Sequence, residues 1–130
     1  MSLNETNFWQ MIGRVRTKAK HDDEIFTELL VGELEKLEPT DIIEFHHIFW
    51  KFYRLSYRTD LWGAAFIMNG GCSDDGFDYF RGWLISQGQQ VFDAALEHPD
   101  SLAKVVPKDP EDYSYELEEM LSIGQDVWRE

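Results

Sequence analysis

Cysteine is almost absent from this chain, since Cys72 is the one example in 130 residues. An internal disulfide is therefore excluded, and the unpaired thiol is typical of a reducing, cytoplasmic compartment. A chain of this length is close to the usual size of one domain and buries about two-thirds of its unfolded surface. We therefore expect a single domain over residues 1–130 that needs no covalent staple.

Long apolar runs and targeting signals are also missing. No stretch reaches the roughly 18 uninterrupted apolar residues that a transmembrane helix needs. The first ten residues, MSLNETNFWQ, lack the basic and apolar regions of a signal peptide. The sequence therefore predicts a cytoplasmic protein, of the kind common in bacteria, that does not bind membranes.

Basic residues are scarce, with 12 Lys and Arg against 25 Asp and Glu and a formal net charge of −13. Nucleic acids and anionic membranes are bound by cations that face phosphates, so this balance argues against both as partners. The acidity is concentrated in the C-terminal segment of about residues 100–130. It either keeps the surface soluble or attracts a basic protein partner, and the sequence leaves both open.

Aromatic residues are abundant, with nine Phe, five Tyr and five Trp, and apolar residues recur at helical rather than strand spacing. We predict an all-α fold, a single compact bundle of about six to eight helices around a central aromatic-rich helix. A loop is expected over about residues 107–115. The predicted helices cover about residues 6–18, 22–37, 41–57, 60–69, 74–87, 89–97 and 115–128.

The third of these helices is apolar on two of its three faces and should be the central one. Asp41 and Glu44 are spaced like a variant capping box at its start, after Pro39 has ended the preceding segment. The fourth helix is apolar nearly all round, so we expect it to be buried. Gly70 and Gly71 should stop it.

The segment from Met68 to Gly88, MNGGCSDDGFDYFRGWLISQG, gathers an unusual number of reactive side chains beside a glycine turn. Ser73 is placed to cap the helix that follows. Cys72 lies just ahead of the N-terminus of that helix, a position that would lower the pKa of its thiol. Asp74 and Asp78 are one turn apart and share a face, so a metal or small-ligand site is one interpretation. The candidate residues are His46, Trp62, Asn69, Cys72, Asp74, Asp75, Asp78 and Arg81.

Each candidate residue also has a purely structural interpretation. Asp78 and Arg81 have the spacing of a helical ion pair, and His46 lies on an apolar face where most histidines are hydrogen-bonded core residues. The adjacent pair His46 and His47 lacks the spacing of zinc ligands. We therefore assign no catalytic residue, no metal ligand and no cofactor.

The run from Trp62 to Gly88 with the following HPDSLA resembles an uncharacterised, mostly bacterial family, domain-of-unknown-function family 4240. The early FWQMI and the FHHIF of the third helix fit the same pattern, so the resemblance reaches to about Ala103. It implies a small domain that is sometimes fused to other modules, and it brings no established activity to transfer.

Two functions remain as hypotheses. The first is a non-catalytic protein-binding or regulatory module with a basic partner, which the small size, the acidity and the lack of a catalytic set favour. The second is a small-ligand or metal-dependent enzyme site built around GGCSDDGFDYFRGW. The oligomeric state does not follow from the sequence.

Overall fold

The computed structural model describes residues 2–105 and 114–130, and every regular element within them is helical. The expected loop at about residues 107–115 lies mostly outside the described residues. The described part has no strand, and the all-α prediction is confirmed. The α-helices are α1 (Glu5–Ala19), α2 (Asp23–Glu35), α3 (Pro39–Leu55), α4 (Thr59–Met68), α5 (Asp74–Ser86), α6 (Gln89–Glu97) and α7 (Ile123–Arg129), and two 3-10 helices are η1 (Pro99–Lys104) and η2 (Glu118–Leu121).

Side-chain caps begin three of the helices. Asn4 and Asn7 form a reciprocal capping box at the start of α1. Asp22 accepts a hydrogen bond from the Ile25 amide of α2, and Ser73 accepts one from the Gly76 amide of α5. The cap predicted at Ser73 is therefore present, because short polar side chains satisfy amides that have no partner within the helix.

The capping box predicted at Asp41 is wrong, because α3 begins two residues earlier. Pro39 occupies the first turn of α3, where its fixed φ suits a helix start, and Glu38 is the N-cap without a side-chain hydrogen bond. Asp41 then lies inside the helix, and its carboxylate accepts a hydrogen bond of 3.0 Å from the Leu3 amide. It ties the N-terminus to α3 instead of capping α3.

Aromatic rings form the core around α3, as the central-helix prediction requires. Phe45 and Phe49 of α3 are 1% exposed, and Phe8 of α1 is fully buried with its ring centroid 4.9 Å from that of Phe45. Phe52 meets Phe92 of α6 at 5.5 Å, edge to face. Such ring pairs add a geometric preference to the large area that each ring buries.

The prediction that α4 is buried is wrong for one side of the helix. Leu61 and Ala65 are fully buried, but Phe66 is 57% exposed and Ile67 is 82% exposed. The apolar composition concealed this difference, since no polar stripe marks the solvent side.

The predicted last helix is also shorter than expected. Tyr115 and Leu117 precede the helical residues, and the Leu117 amide donates to the Tyr79 carbonyl of α5. The chain then forms η2 and turns into α7, which packs on α3. No helix in the described part of the chain is long and apolar enough to cross a membrane.

Candidate functional site

Two glycines reverse the chain between α4 and α5, at the centre of the segment singled out in the sequence. Gly70 has φ of 68° and Gly71 has φ of 130°, values that side chains disfavour. The Gly71 amide donates to the Phe66 carbonyl at 2.7 Å and the Gly70 amide to the Ile67 carbonyl at 3.4 Å. These two bonds form a Schellman motif, so the predicted stop is present.

Trp62 fastens this turn to α5. Its indole nitrogen donates a 3.0 Å hydrogen bond to the Cys72 carbonyl, and its ring stacks on Phe77 at 4.9 Å with an interplanar angle of 11°. Asn69 accepts a hydrogen bond of 3.0 Å from the Tyr115 amide, while its own buried amide nitrogen lacks a partner. Trp62, Asn69 and Cys72 are therefore joined through the backbone of the turn.

The thiol of Cys72 is not activated. Burial, together with the neighbouring Glu116 carboxylate, raises the pKa of Cys72. The sequence-based expectation of a lowered pKa is therefore wrong, because desolvation disfavours the thiolate. The thiol donates only a weak 3.7 Å contact to the Ser73 carbonyl.

Arg81 is held by hydrogen bonds, an ion pair and aromatic rings. It is 3% exposed, donates 2.9 Å to the Tyr53 carbonyl and pairs with Asp78 at 2.7 Å, so the predicted pair with Asp78 is present. Its guanidinium carbon lies 3.7 Å from the centroid of the Tyr53 ring and 4.8 Å from those of Tyr57 and Phe77. The buried Nε has no partner.

Asp78 serves Tyr53 as well as Arg81. Burial, and then the hydrogen bond to Asp78, raise the pKa of the Tyr53 phenol to about 12. The glycine turn thus brings Asp78 and Arg81 onto the central helix α3. Asp74 and Asp75 remain exposed in the first turn of α5 and do not join them.

His46 lies on a different surface, against α7. An added Cβ on Gly124 would meet the His46 Cβ at 3.2 Å, so the two helices are in close contact there. Partial burial, with the like charge of His47, lowers the pKa of His46. The histidine lines a shallow groove of about 300 Å³ with Ile42, Ile43 and Trp128, two turns along α3 from Tyr53.

The sequence analysis missed two sets of carboxylates, one near Tyr79 and one beside α2, which include the successive η2 residues Glu118 and Glu119. The charges of Glu118, Asp75 and Asp78 act on Tyr79 of α5, and that of Glu118 is the largest cause of the raised pKa of its phenol. Glu119, the next residue, lines a groove of about 440 Å³ opposite α2. We call the two sets together the acidic face, which consists of Asp23, Glu24, Glu28, Asp75, Asp78, Glu118 and Glu119.

The arginines that accompany the acidic face are directed inward. Arg16 pairs with Asp23 at 3.0 Å, donates to Ser86 and lies over the Phe26 ring. Arg81 pairs with Asp78 as described. Within the described ranges, Glu24, Glu28 and Glu119 have no ion pair, so the outer carboxylates keep their charge towards solvent.

Two cations on or just after α3 are, by contrast, paired with acids of the same chain. Lys51 pairs with Glu5, and Arg58 pairs with Asp60 at 2.6 Å.

No three His, Cys, Asp or Glu side chains within residues 2–105 and 114–130 converge as metal ligands.

The fold and the site are those of an all-α, strongly acidic protein with an aromatic core. The chain belongs to the family described as protein of unknown function (DUF4240), whose profile matches residues 3–130. The match extends past Ala103 and includes the acidic C-terminal segment. No curated protein and no solved structure matches the chain.

Proposed function

We propose that this chain is a non-catalytic binding module whose acidic face receives a basic segment of a protein partner. The observation that carries the proposal is the groove between α2 and η2. Among the residues that the structure describes, Glu24, Glu28 and Glu119 line it without ion pairs, and Asp23, Thr27 and Leu117 also belong to its walls. A recess with several carboxylates attracts Lys and Arg side chains and accelerates their approach.

Tyr79 supports the idea that the negative charge is concentrated rather than dispersed. The largest cause of its raised pKa is the charge of Glu118, ahead of desolvation. A phenol without negatively charged neighbours would not have such a charge as the largest cause of a raised pKa. Glu119, the residue after Glu118, lines the groove beside α2.

The outer edge of α2 adds an apolar component beside the acids. Ile25 is 43% exposed and Leu29 is 36% exposed, and a Cβ added to Gly32 would meet nothing within 4 Å. These three residues are spaced at i, i+4 and i+7, so they lie along one side of the helix. The partner segment that fits best is therefore an amphipathic one, with basic residues next to apolar residues.

The enzyme alternative has less support from the same region. The pKa of Cys72 is raised, His46 contacts α7 instead of the glycine turn, and Asp78 and Arg81 pair with each other against Tyr53. Asp78 and Arg81 both belong to α5, and the bond from Arg81 to the Tyr53 carbonyl joins α5 to α3, so the arrangement is structural. It offers no nucleophile beside a base.

The test is the binding of synthetic amphipathic peptides followed by fluorescence anisotropy. One peptide carries Lys and Arg beside an apolar stripe, a second has the same composition in scrambled order, and a third has Glu in place of the cations. We expect the first to bind most tightly, the third not at all, and the affinity to fall as salt is raised.

A charge-matched pair of variants locates the site. The double variant Glu24→Gln with Glu28→Gln should weaken peptide binding by about tenfold or more, since it removes two groove carboxylates. The control, Asp93→Asn with Glu97→Gln, removes two exposed carboxylates of α6 at the same spacing and should change binding little. Equal weakening in both variants, or no binding of the basic peptide, would refute the proposal.

A further inference from the structure

The groove between α3 and α7 that His46 lines differs in charge from the other grooves of the protein. Besides the four residues named above, its lining includes Gly124, Gln125 and Arg129, and none of its described lining residues is a carboxylate. The grooves beside α2, at the start of α1 and beside η1 each have at least one carboxylate in their lining. We call this recess the α3–α7 groove. In a chain of net charge −13, it combines a cation with an apolar surface.

The helical positions of the nearby acids explain why the α3–α7 groove is free of them. Successive residues of an α-helix turn by about 100°, so Asp126 lies about 60° around α7 from Arg129, on the side opposite to the other lining residues of that helix. On α3, Asp41 and Glu44 lie about 140° and 160° around the axis from His46. The cation in the groove is therefore not faced by the carboxylates of its own two helices.

Hydrogen-bond donors at the α3–α7 groove outnumber the acceptors that could receive them. Among the residues that the structure describes, the exposed Arg129 has no ion pair and the exposed Gln125 has no hydrogen bond to its side chain. One turn along α3 from His46, the indole nitrogen of Trp50 is buried without a partner, and the two ring centroids are 6.0 Å apart. A ligand that supplies acceptors and negative charge suits these donors.

The rest of the α3–α7 groove is apolar and open to solvent. Trp128 is 53% exposed and Ile43 is 39% exposed, so an indole face and an aliphatic side chain are both accessible. Aromatic side chains favour stacking on flat rings. The volume of about 300 Å³ is at the lower end of the range of roughly 300–1,000 Å³ that small-molecule sites occupy. It suits one or two fused rings with a short polar group.

We propose that the α3–α7 groove binds a small aromatic carboxylate. The ring of the ligand lies on Trp128 beside Ile43, and its carboxylate accepts hydrogen bonds from the Arg129 guanidinium and the Gln125 amide. A guanidinium matches a carboxylate through two parallel hydrogen bonds, which fix the orientation as well as the charge of the ligand.

His46 leaves the recognition of charge to Arg129. Burial, and then the like charge of His47, lower the pKa of His46, so its ring is largely neutral at neutral pH. It forms one wall of the groove, where α7 approaches it closely at Gly124. The affinity for a carboxylate should therefore depend chiefly on a single arginine.

The test is an NMR titration of the ¹⁵N-labelled full chain with three probes that share one ring system. These are naphthalene-2-carboxylate, naphthalene-2-carboxamide and 2-naphthylmethylamine, which are anionic, neutral and cationic. We expect the carboxylate to shift the backbone amide signals of Gly124 and Gln125 and the indole signal of Trp128. The carboxamide should bind at least about tenfold more weakly, and the amine should not bind, because the donors of the groove favour an anion.

Two arginine variants locate the charge that the ligand recognises. Arg129→Gln should weaken binding of the carboxylate by about tenfold or more and leave binding of the carboxamide unchanged. Arg14→Gln removes another exposed arginine, on α1, and should change neither. Thermal melts show that each variant folds. The acidic-face variant Glu24→Gln with Glu28→Gln should bind the carboxylate normally, so this proposal and the acidic-face proposal can fail separately.

Several results would overturn the assignment. They are the absence of shifts in the α3–α7 groove at millimolar carboxylate, equal binding of the carboxylate and the carboxamide, and unchanged binding by Arg129→Gln. An acidic peptide with a C-terminal Phe that binds the groove more than about tenfold more tightly than the free carboxylate would also overturn it. The groove would then belong to a protein partner instead of a small molecule.

Discussion

Arg81 shows how one buried charge can connect two helices. Its guanidinium donates to the Tyr53 carbonyl on α3 and to Asp78 on its own helix, and three aromatic rings lie against it. A guanidinium suits this position because it is planar, remains charged and stacks on rings. An ammonium group is compact and strongly hydrated, and it would make neither the stack nor both hydrogen bonds.

We therefore predict that Arg81→Lys lowers the free energy of unfolding by about 2–3 kcal/mol through the loss of charge-assisted hydrogen bonds at a buried site. Urea denaturation measures the change. Arg14→Lys is the matched control, since Arg14 is half exposed and lies 3.8 Å from Glu33, and it should change stability by less than about 0.5 kcal/mol. Similar small effects in both variants would show that Arg81 is not a structural anchor.

Tyr53 gives a pH-dependent prediction at the same centre. Its folded pKa of about 12 exceeds the ordinary value of 10.0. As the pH rises, the unfolded chain loses the phenol proton first, so the contribution of Tyr53 to stability is intact below pH 10 and is lost between the two values. Tyr53→Phe should therefore show a shallower loss of stability in alkaline solution, which urea titrations at a series of pH values would detect. An unchanged slope would contradict the assignment.

The pair of Asp78 and Arg81 was predictable from the sequence, because a three-residue spacing on a helix brings side chains together. The contact of Arg81 with Tyr53 was not, since it depends on how α5 crosses α3. His46 illustrates the same limit. Its apolar stripe was visible in the sequence, but nothing local indicates that α7 rather than the glycine turn packs against it.

At the scale of the helices, local signals served well where a single residue type carries the physical cause. Asp22 and Ser73 cap their helices because they satisfy free amides, and Gly70 accepts a left-handed φ. Local signals failed where two of them competed. Pro39 both ends one segment and begins α3, and the start it provides took precedence over the capping box at Asp41.

Two helical glycines lead to opposite predictions for the same substitution. Gly32→Ala should stabilise the protein by about 0.5–1 kcal/mol, because it improves helix propensity and its Cβ meets nothing within 4 Å. Gly82→Ala should destabilise it by about 1–3 kcal/mol, since the new Cβ would lie 2.6 Å from the Leu117 carbonyl oxygen and 2.8 Å from Leu121.

Thermal or urea unfolding of the two alanine variants provides the comparison. Both substitutions gain the same intrinsic helix propensity, so the difference between them isolates the close contact of α5 with the segment before η2. A destabilised Gly32→Ala variant would mean that α2 is packed more tightly than the structure indicates. A neutral Gly82→Ala variant would mean that the segment carrying Leu117 yields easily.

At the scale of the whole molecule, charge and apolar surface are segregated. The carboxylates of the acidic face lie on α2, η2 and the start of α5, whereas Phe66 and Ile67 are exposed on α4, and Ile67 borders a recess in which Asp100 is the one charged residue among the described lining. The net charge of −13 was evident from the sequence. Its distribution over the surface was not, because Glu24 and Glu119 line one groove, and Asp75 and Glu118 act on Tyr79, only after folding brings distant segments together.

This segregation predicts how stability responds to salt. Raising the ionic strength from about 0.01 M to about 1 M shortens the Debye length from about 30 Å to about 3 Å. Repulsion within the acidic face should then weaken more than the buried pairs of Arg16 and Arg81, so the urea midpoint should rise. Glu24→Gln with Glu28→Gln should flatten this rise more than Asp93→Asn with Glu97→Gln, because only the first pair relieves a concentrated charge. A midpoint that falls with salt would mean that surface ion pairs, such as Arg58 with Asp60, outweigh the repulsion, and that the acidic face is neutralised within the folded chain.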